Sequence, residues 1–373
     1  MDENNALGIL NRAIGSSNAQ KKRKKNRRVE RAKQLIRDYG NGERPANREV
    51  LSRTLYLGEY RQLLQEIGDD STLNNTFENE LRYDYTADNR GKNNRRSKQF
   101  VVRMPTAFHE RLSDEIDEAI KGWKIAIREG RAQCGTGMCS GQYCTHDRTK
   151  EIAKNLKGHR SEPLNNSELE ESDKKDPDLS YKLEEWPGLV VEIGSSQKSF
   201  DLRKKCEWYI EKSNGEVRTV IGPKTLPHGP GKRQKSKAAK EDIAKMVDAT
   251  KKNKALGKIF LWRAEIDSGT NQATAVLYED RPLIFRDENG KPAGEVAFRL
   301  SLEDFISARL LEKIGASHNP ELAIMSESLC NRLESALEAQ IPKDRDREKK
   351  KEGGKKEVKR TRKGKHNAGG RTG

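Results

Sequence analysis

The stretch that most constrains this chain runs from Asp178 to Glu192, DLSYKLEEWPGLVVE, because it sets an acid inside an apolar strand. Leu189-Val190-Val191-Glu192-Ile193 is a dense apolar run behind the turn formers Trp186-Pro187-Gly188, and it reads as a buried strand. A carboxylate in such a strand is costly unless it is paired or metal-bound. The preceding run, opened by Pro177-Asp178, alternates through Leu179, Tyr181 and Leu183. Folding the two runs about Glu185 sets Asp178 opposite Glu192, on one face, with Cα atoms about 4.5–5.5 Å apart. Two carboxylates that close repel unless a cation lies between them, and a hard, oxygen-seeking ion such as Mg²⁺ is the natural occupant.

The next segment reads as a helix from Ser199 to Ile210, with Leu202, Cys206, Tyr209 and Ile210 on one face. Ser199 is placed to cap it, and Gly215 lies just past its end. Glu216 to Ile221 then reads as a strand. The helix is a crossover, so this last strand is expected parallel to the one that carries Glu192.

This block resembles the PD-(D/E)xK nuclease superfamily, and within it a restriction-endonuclease-like branch of bacterial proteins with a related fungal set. The resemblance rests on Pro177-Asp178, on PGLVVEIGSS (residues 187–196), and on Asp201, Lys205 and Tyr209, which match an Asp-x3-Lys-x3-Tyr helix. Weaker matches are MPTAFHE (residues 104–110) and LSLEDF (residues 300–305), so it covers Val101 to Leu310 with gaps.

It implies an α/β fold of mixed type, a restriction-endonuclease-like core with a central mixed sheet flanked by helices. It also implies metal-dependent hydrolysis of phosphodiester bonds in nucleic acid. Asp178 and Glu192, with the Ile193 carbonyl, would hold one or two Mg²⁺ (or Mn²⁺) ions. Lys205 would position the attacking water or neutralise charge on the phosphate. Gln197 and Tyr209 would orient the phosphate or Lys205, and Asp201 would cap its helix or pair with Lys205. Glu110, on the front helix beside His109, would add an acid to the metal site or simply complement the helix dipole. One departure stands out: Gly194 occupies the place, two residues after Glu192, where the superfamily carries its lysine. Lys205 is the expected replacement, with Lys198 as a second choice. Should neither reach the acids, the alternative is a nucleic-acid-binding protein that keeps the fold without the chemistry. A structural or regulatory protein is a third reading.

Of the 373 residues, 32% are hydrophobic and 35% charged, so a large share of the chain must be solvated. No apolar run is long enough to span a membrane, and the opening MDENNALGILNRAIG lacks a secretory pattern. Five cysteines, an odd number, point to a reducing compartment. The net charge of +16 is concentrated at two places: residues 21–33 carry +8 and residues 342–373 carry +9, leaving −1 for everything else. Both runs read as nuclear-localisation signals and as nonspecific grips on DNA or RNA, so the expected partner is nucleic acid, DNA first, and the expected location is the nucleus or, failing that, the cytoplasm.

Residues 1–46 form a basic, mostly disordered arm with a helix over Arg27–Asp38. Residues 47–99 comprise an amphipathic helix, Asn47–Gly68, and a polar linker. The presumed nuclease domain spans 100–310, with a helix from Thr106 to Ile127 and insertions at 130–175 and 223–255. Strands are expected over Lys258–Ile266, Gln272–Phe285 and Gly294–Leu302, then a short helix from Leu302. Residues 311–341 hold a last helix, Asn319–Gln340, and 342–373 a disordered basic tail. Cys134, Cys139, Cys144 and His146 could together satisfy a structural Zn²⁺, although their spacing equally suits a loop of free thiols.

Overall fold

Among the described residues, alternating and helical patterns resolve into three sheets with helices packed on them. The structure, a computed structural model, describes residues 27–41, 50–87, 98–103, 107–137, 143, 145–160, 164, 173–194, 199–226, 256–314, 318–336 and 338. It begins with α1 (27–40), β1 (Val50–Thr54), α2 (Leu57–Gly68), α3 (Ser71–Asn75), a π-helical turn (Thr76–Glu80), β2 (Arg82–Ala87) and β3 (Lys98–Arg103). Next come α4 (Ala107–Arg128), β4 (Cys134–Gly137), α5 (Asp147–Asn155), β5 (Lys157–His159) and β6 (Asp173–Lys175). The hairpin β7 (Leu179–Lys182) and β8 (Pro187–Val191) leads into α6 (Ser199–Lys212) and β9 (Thr219–Leu226). Then follow β10 (Leu256–Ile266), β11 (Ala273–Leu277), β12 (Leu283–Arg286), β13 (Val296–Ser301), a 3₁₀ turn (Leu302–Phe305), α7 (Ala308–Ile314), β14 (His318–Met325) and α8 (326–336).

The central sheet has seven strands in the order β11-β10-β9-β8-β7-β5, with β12 also paired to β10. β7 and β8 are antiparallel; β8 and β9 are parallel, joined by α6. β8 lies deep in the sheet, which explains its unbroken apolar run. Leu189, Val191 and Ile193 join one core with Leu112, Ile116 and Ile120 of α4, whereas Val190 joins another with Leu202, Cys206 and Ile210 of α6. Gly188 is required at the start of this strand: a Cβ there would enter the backbone of Phe305 and Ile306.

A four-stranded sheet, β1-β3-β2-β6, forms a second body with α1, α2 and α3 around Leu55, Leu63, Tyr85 and Phe100. This corrects the reading of residues 47–99. Leu51 and Leu55 lie on the buried side of strand and turn rather than on a helix, which starts only at Leu57. The supposed polar linker supplies α3, β2 and the first residues of β3.

The third sheet is β13-β14-β4. Here residues 319–325, expected to be helical, belong to β14, which pairs with β13 and β4, and the helix begins afterwards. Two supposed insertions are also partly structural: residues 147–159 give α5 and the edge strand β5, and 223–226 extend β9. Among the described residues no helix is long and apolar enough to cross a membrane.

Candidate active site

Alternation carries Glu192 out of β8 on the α6 side of the sheet. The β7–β8 ladder pairs Leu179 with Val191, and the Asp178 amide donates to the Val191 carbonyl at 3.1 Å. That register is the one symmetrical about Glu185, and it sets Asp178 across from Glu192. α6 then presents Lys205 and Tyr209, one turn apart, to the same face. Glu192 is 0% exposed and Asp178 1%.

Lys205 Nζ stands 2.9 Å from Glu192 Oε2 and 3.1 Å from Asp84 Oδ1, and it donates to the Asp176 carbonyl at 3.0 Å. Tyr209 donates its hydroxyl to Glu192 Oε2 at 3.2 Å. The Ile193 N–H donates to Asp178 Oδ2 at 2.6 Å, so the contact Ile193 makes here is through its amide rather than the carbonyl expected as a metal ligand. Position 194 has little room for a side chain. A Cβ on Gly194 would lie 2.8 Å from Leu202 Cδ2, so α6 packs where a side chain at 194 would project, and the same helix supplies Lys205.

The N-terminal sheet completes the cluster with residues that the sequence reading missed. Arg82 donates to Asp178 Oδ1 at 2.8 Å. Arg103 Nη1 lies 2.6 Å from Glu192 Oε1 and 3.9 Å from Asp178 Oδ1; its Nη2 lies 3.2 Å from Asp84 Oδ1 and also donates to the Asp176 carbonyl. Asp84 further accepts from the Asp176 amide at 3.3 Å. The signal for Arg82 and Asp84 was the alternation Arg82-Tyr83-Asp84-Tyr85, which buries two tyrosines on one face of β2 and turns Arg82 and Asp84 to the other.

Burial pushes the Asp178 carboxyl up, but Arg103, then His109, Arg82 and Lys205, outweigh it and hold it below the usual range. Asp84 is likewise held low against its burial, by Arg103, Lys205 and Lys175. Glu192 goes the other way: burial, reinforced by Asp178 and Asp84, lifts it to about 7 despite Arg103 and Lys205. Burial beside Glu192 and Asp84 raises the Tyr209 phenol well above its ordinary value, so Tyr209 serves as a hydrogen-bond donor.

The other expected residues that the structure describes do not join. Asp201 and Glu110 are exposed at the starts of α6 and α4. Gln197 and Lys198 lie outside the described residues, as do Cys139 and Cys144. Cys134 lies buried in β4, and His146, exposed ahead of α5, stacks on His318 with ring centroids 3.2 Å apart.

The donor set suits a hard divalent ion, since Asp178 and Glu192 offer carboxylate oxygens that converge on a single nitrogen of Arg103. That guanidinium lies within reach of both carboxylates. Among the described residues no group of three or more His, Cys, Asp or Glu side chains is arranged to hold a metal ion as it stands. Comparison of the chain with protein-family models, curated proteins and solved structures finds no match.

Proposed function

We propose that this protein hydrolyses phosphodiester bonds in nucleic acid, with Asp178, Glu192 and Lys205 as its reacting set. One observation carries the reading. Three residues from the flank of β7, the end of β8 and the face of α6 meet in a single hydrogen-bonded cluster, with Lys205 Nζ 2.9 Å from Glu192 Oε2. The helix, hairpin, crossover helix and parallel strand around it agree with the plan that the sequence resemblance carries.

Asp178 and Glu192 would hold a divalent cation, which when bound supplies a water of lowered pKa and charge for the phosphate. Asp178 is kept ionised by its cationic neighbours and aimed by the Ile193 amide. Lys205, fixed by Glu192, Asp84 and the Asp176 carbonyl, orients the attacking water or meets the charge that grows on the phosphate. Tyr209 fixes Glu192. The basic runs at residues 21–33 and 342–373 add a sequence-independent hold on DNA and an address to the nucleus.

A labelled DNA duplex and single strand, incubated with Mg²⁺ or Mn²⁺, provide the test. Asp178→Asn, Glu192→Gln and Lys205→Met should each cut about 100-fold more slowly than wild type, or worse, while binding DNA normally. One observation favours a second reading, nucleic-acid binding without hydrolysis: all four carboxylate oxygens of Asp178 and Glu192 already accept from or pair with protein donors. Salt-sensitive DNA binding with no cleavage by wild type, at any divalent ion tried, would select it.

A further inference from the structure

The group that stands between Asp178 and Glu192 is Arg103. Arg82 and Arg103 oppose each other across the β2–β3 ladder, a pairing of like charges that repels unless anions lie close by. The anions come from the central sheet: Asp178 meets Arg82 at 2.8 Å and Glu192 meets Arg103 at 2.6 Å. Among the side chains in direct ion pairs here, Arg82, Arg103 and Lys205 match Asp84, Asp178 and Glu192, three cations against three carboxylates. A divalent ion added to this buried set leaves excess positive charge unless a resident cation gives way.

Arg103 is the cation placed to do so. It reaches both carboxylates, whereas Arg82 pairs with Asp178 and Lys205 with Glu192. It also has a second anchor on its own sheet, because Nη2 lies 3.2 Å from Asp84. Building on the reading of Asp178 and Glu192 as a cation seat, we infer that Arg103 is a built-in competitor for that seat. It closes the site in the metal-free protein. When a divalent ion takes the two carboxylates, it falls back on Asp84 and frees its Nη1 edge for an anionic substrate.

The test is Mn²⁺ titration of the full chain by calorimetry, with thermal melting in parallel. Arg103→Met, which keeps the length but not the charge, should bind Mn²⁺ about tenfold more tightly than wild type, or better. Its melting temperature should rise more on adding Mn²⁺ than that of wild type. If the variant is unfolded without metal, recovery of a cooperative melt with Mn²⁺ supports the inference; no recovery overturns it. Unchanged or weaker affinity in a folded Arg103→Met overturns it too. Cleavage is scored separately. Tighter Mn²⁺ binding with no cleavage by any variant keeps the competitor and removes the hydrolase. Mn²⁺-dependent cleavage by wild type with unaltered affinity in Arg103→Met does the reverse.

Discussion

Glu192 concentrates the physical tension of the site. It is fully buried, and its carboxyl is lifted to about 7 by burial in spite of two cations in contact with it. Because the folded value exceeds the ordinary 4.5, the folded state retains a proton that the unfolded chain has lost. Stability from this group is complete below the ordinary value and is lost as pH rises through about 7. Glu192→Gln cannot titrate. Its urea midpoint should therefore fall less than that of wild type between about pH 5 and about pH 8; equal slopes in the two proteins would contradict the assignment. Asp178 and Glu192 were legible from sequence because an acid in an apolar strand is conspicuous and a tight turn fixes its partner. Arg82, Asp84 and Arg103 were not, because their meaning depends on a sheet that packs them against residues about ninety positions away in the chain.

Local periodicity explains which elements could be read. α4 keeps Leu112, Ile116, Ile120, Trp123 and Ile127 on one stripe, and α6 does the same with Leu202, Cys206 and Tyr209, so both stood out. β1 and β14 were taken into neighbouring helices because short strands that run straight into amphipathic helices merge with their pattern: Leu322 and Ile324 belong to the strand, Leu329 and Leu333 to the helix that follows. Two glycines test the packing of these elements. Gly188→Ala should destabilise the protein by about 1–3 kcal/mol, since the added methyl meets the backbone of Phe305 and Ile306. Gly122→Ala, on exposed α4 surface with nothing within 4 Å of the new atom, should instead stabilise by up to about 1 kcal/mol. Denaturant unfolding measures both, and a Gly188→Ala protein as stable as wild type would refute the close approach.

At the scale of the molecule, the site is a seam between two sheets. The central sheet supplies Asp178 and Glu192 from the flank of β7 and the end of β8; α6 brings Lys205 and Tyr209; the N-terminal sheet closes over them with Arg82, Asp84 and Arg103, and with Asp176 just past β6. A buried network of this kind is poor value as a source of stability, since packed apolar groups of equal size often do as well. The gathering of these charges at one seam, beside the β7–β8 hairpin and the α6 crossover, is what the hydrolytic proposal explains. Anomalous diffraction at the manganese edge, from crystals of the full chain soaked in Mn²⁺, tests that account most directly. It predicts a peak bonded to oxygens of both Asp178 and Glu192, with the Arg103 guanidinium displaced towards Asp84. Crystals that show no peak there, with Arg103 still seated against Glu192, would contradict it.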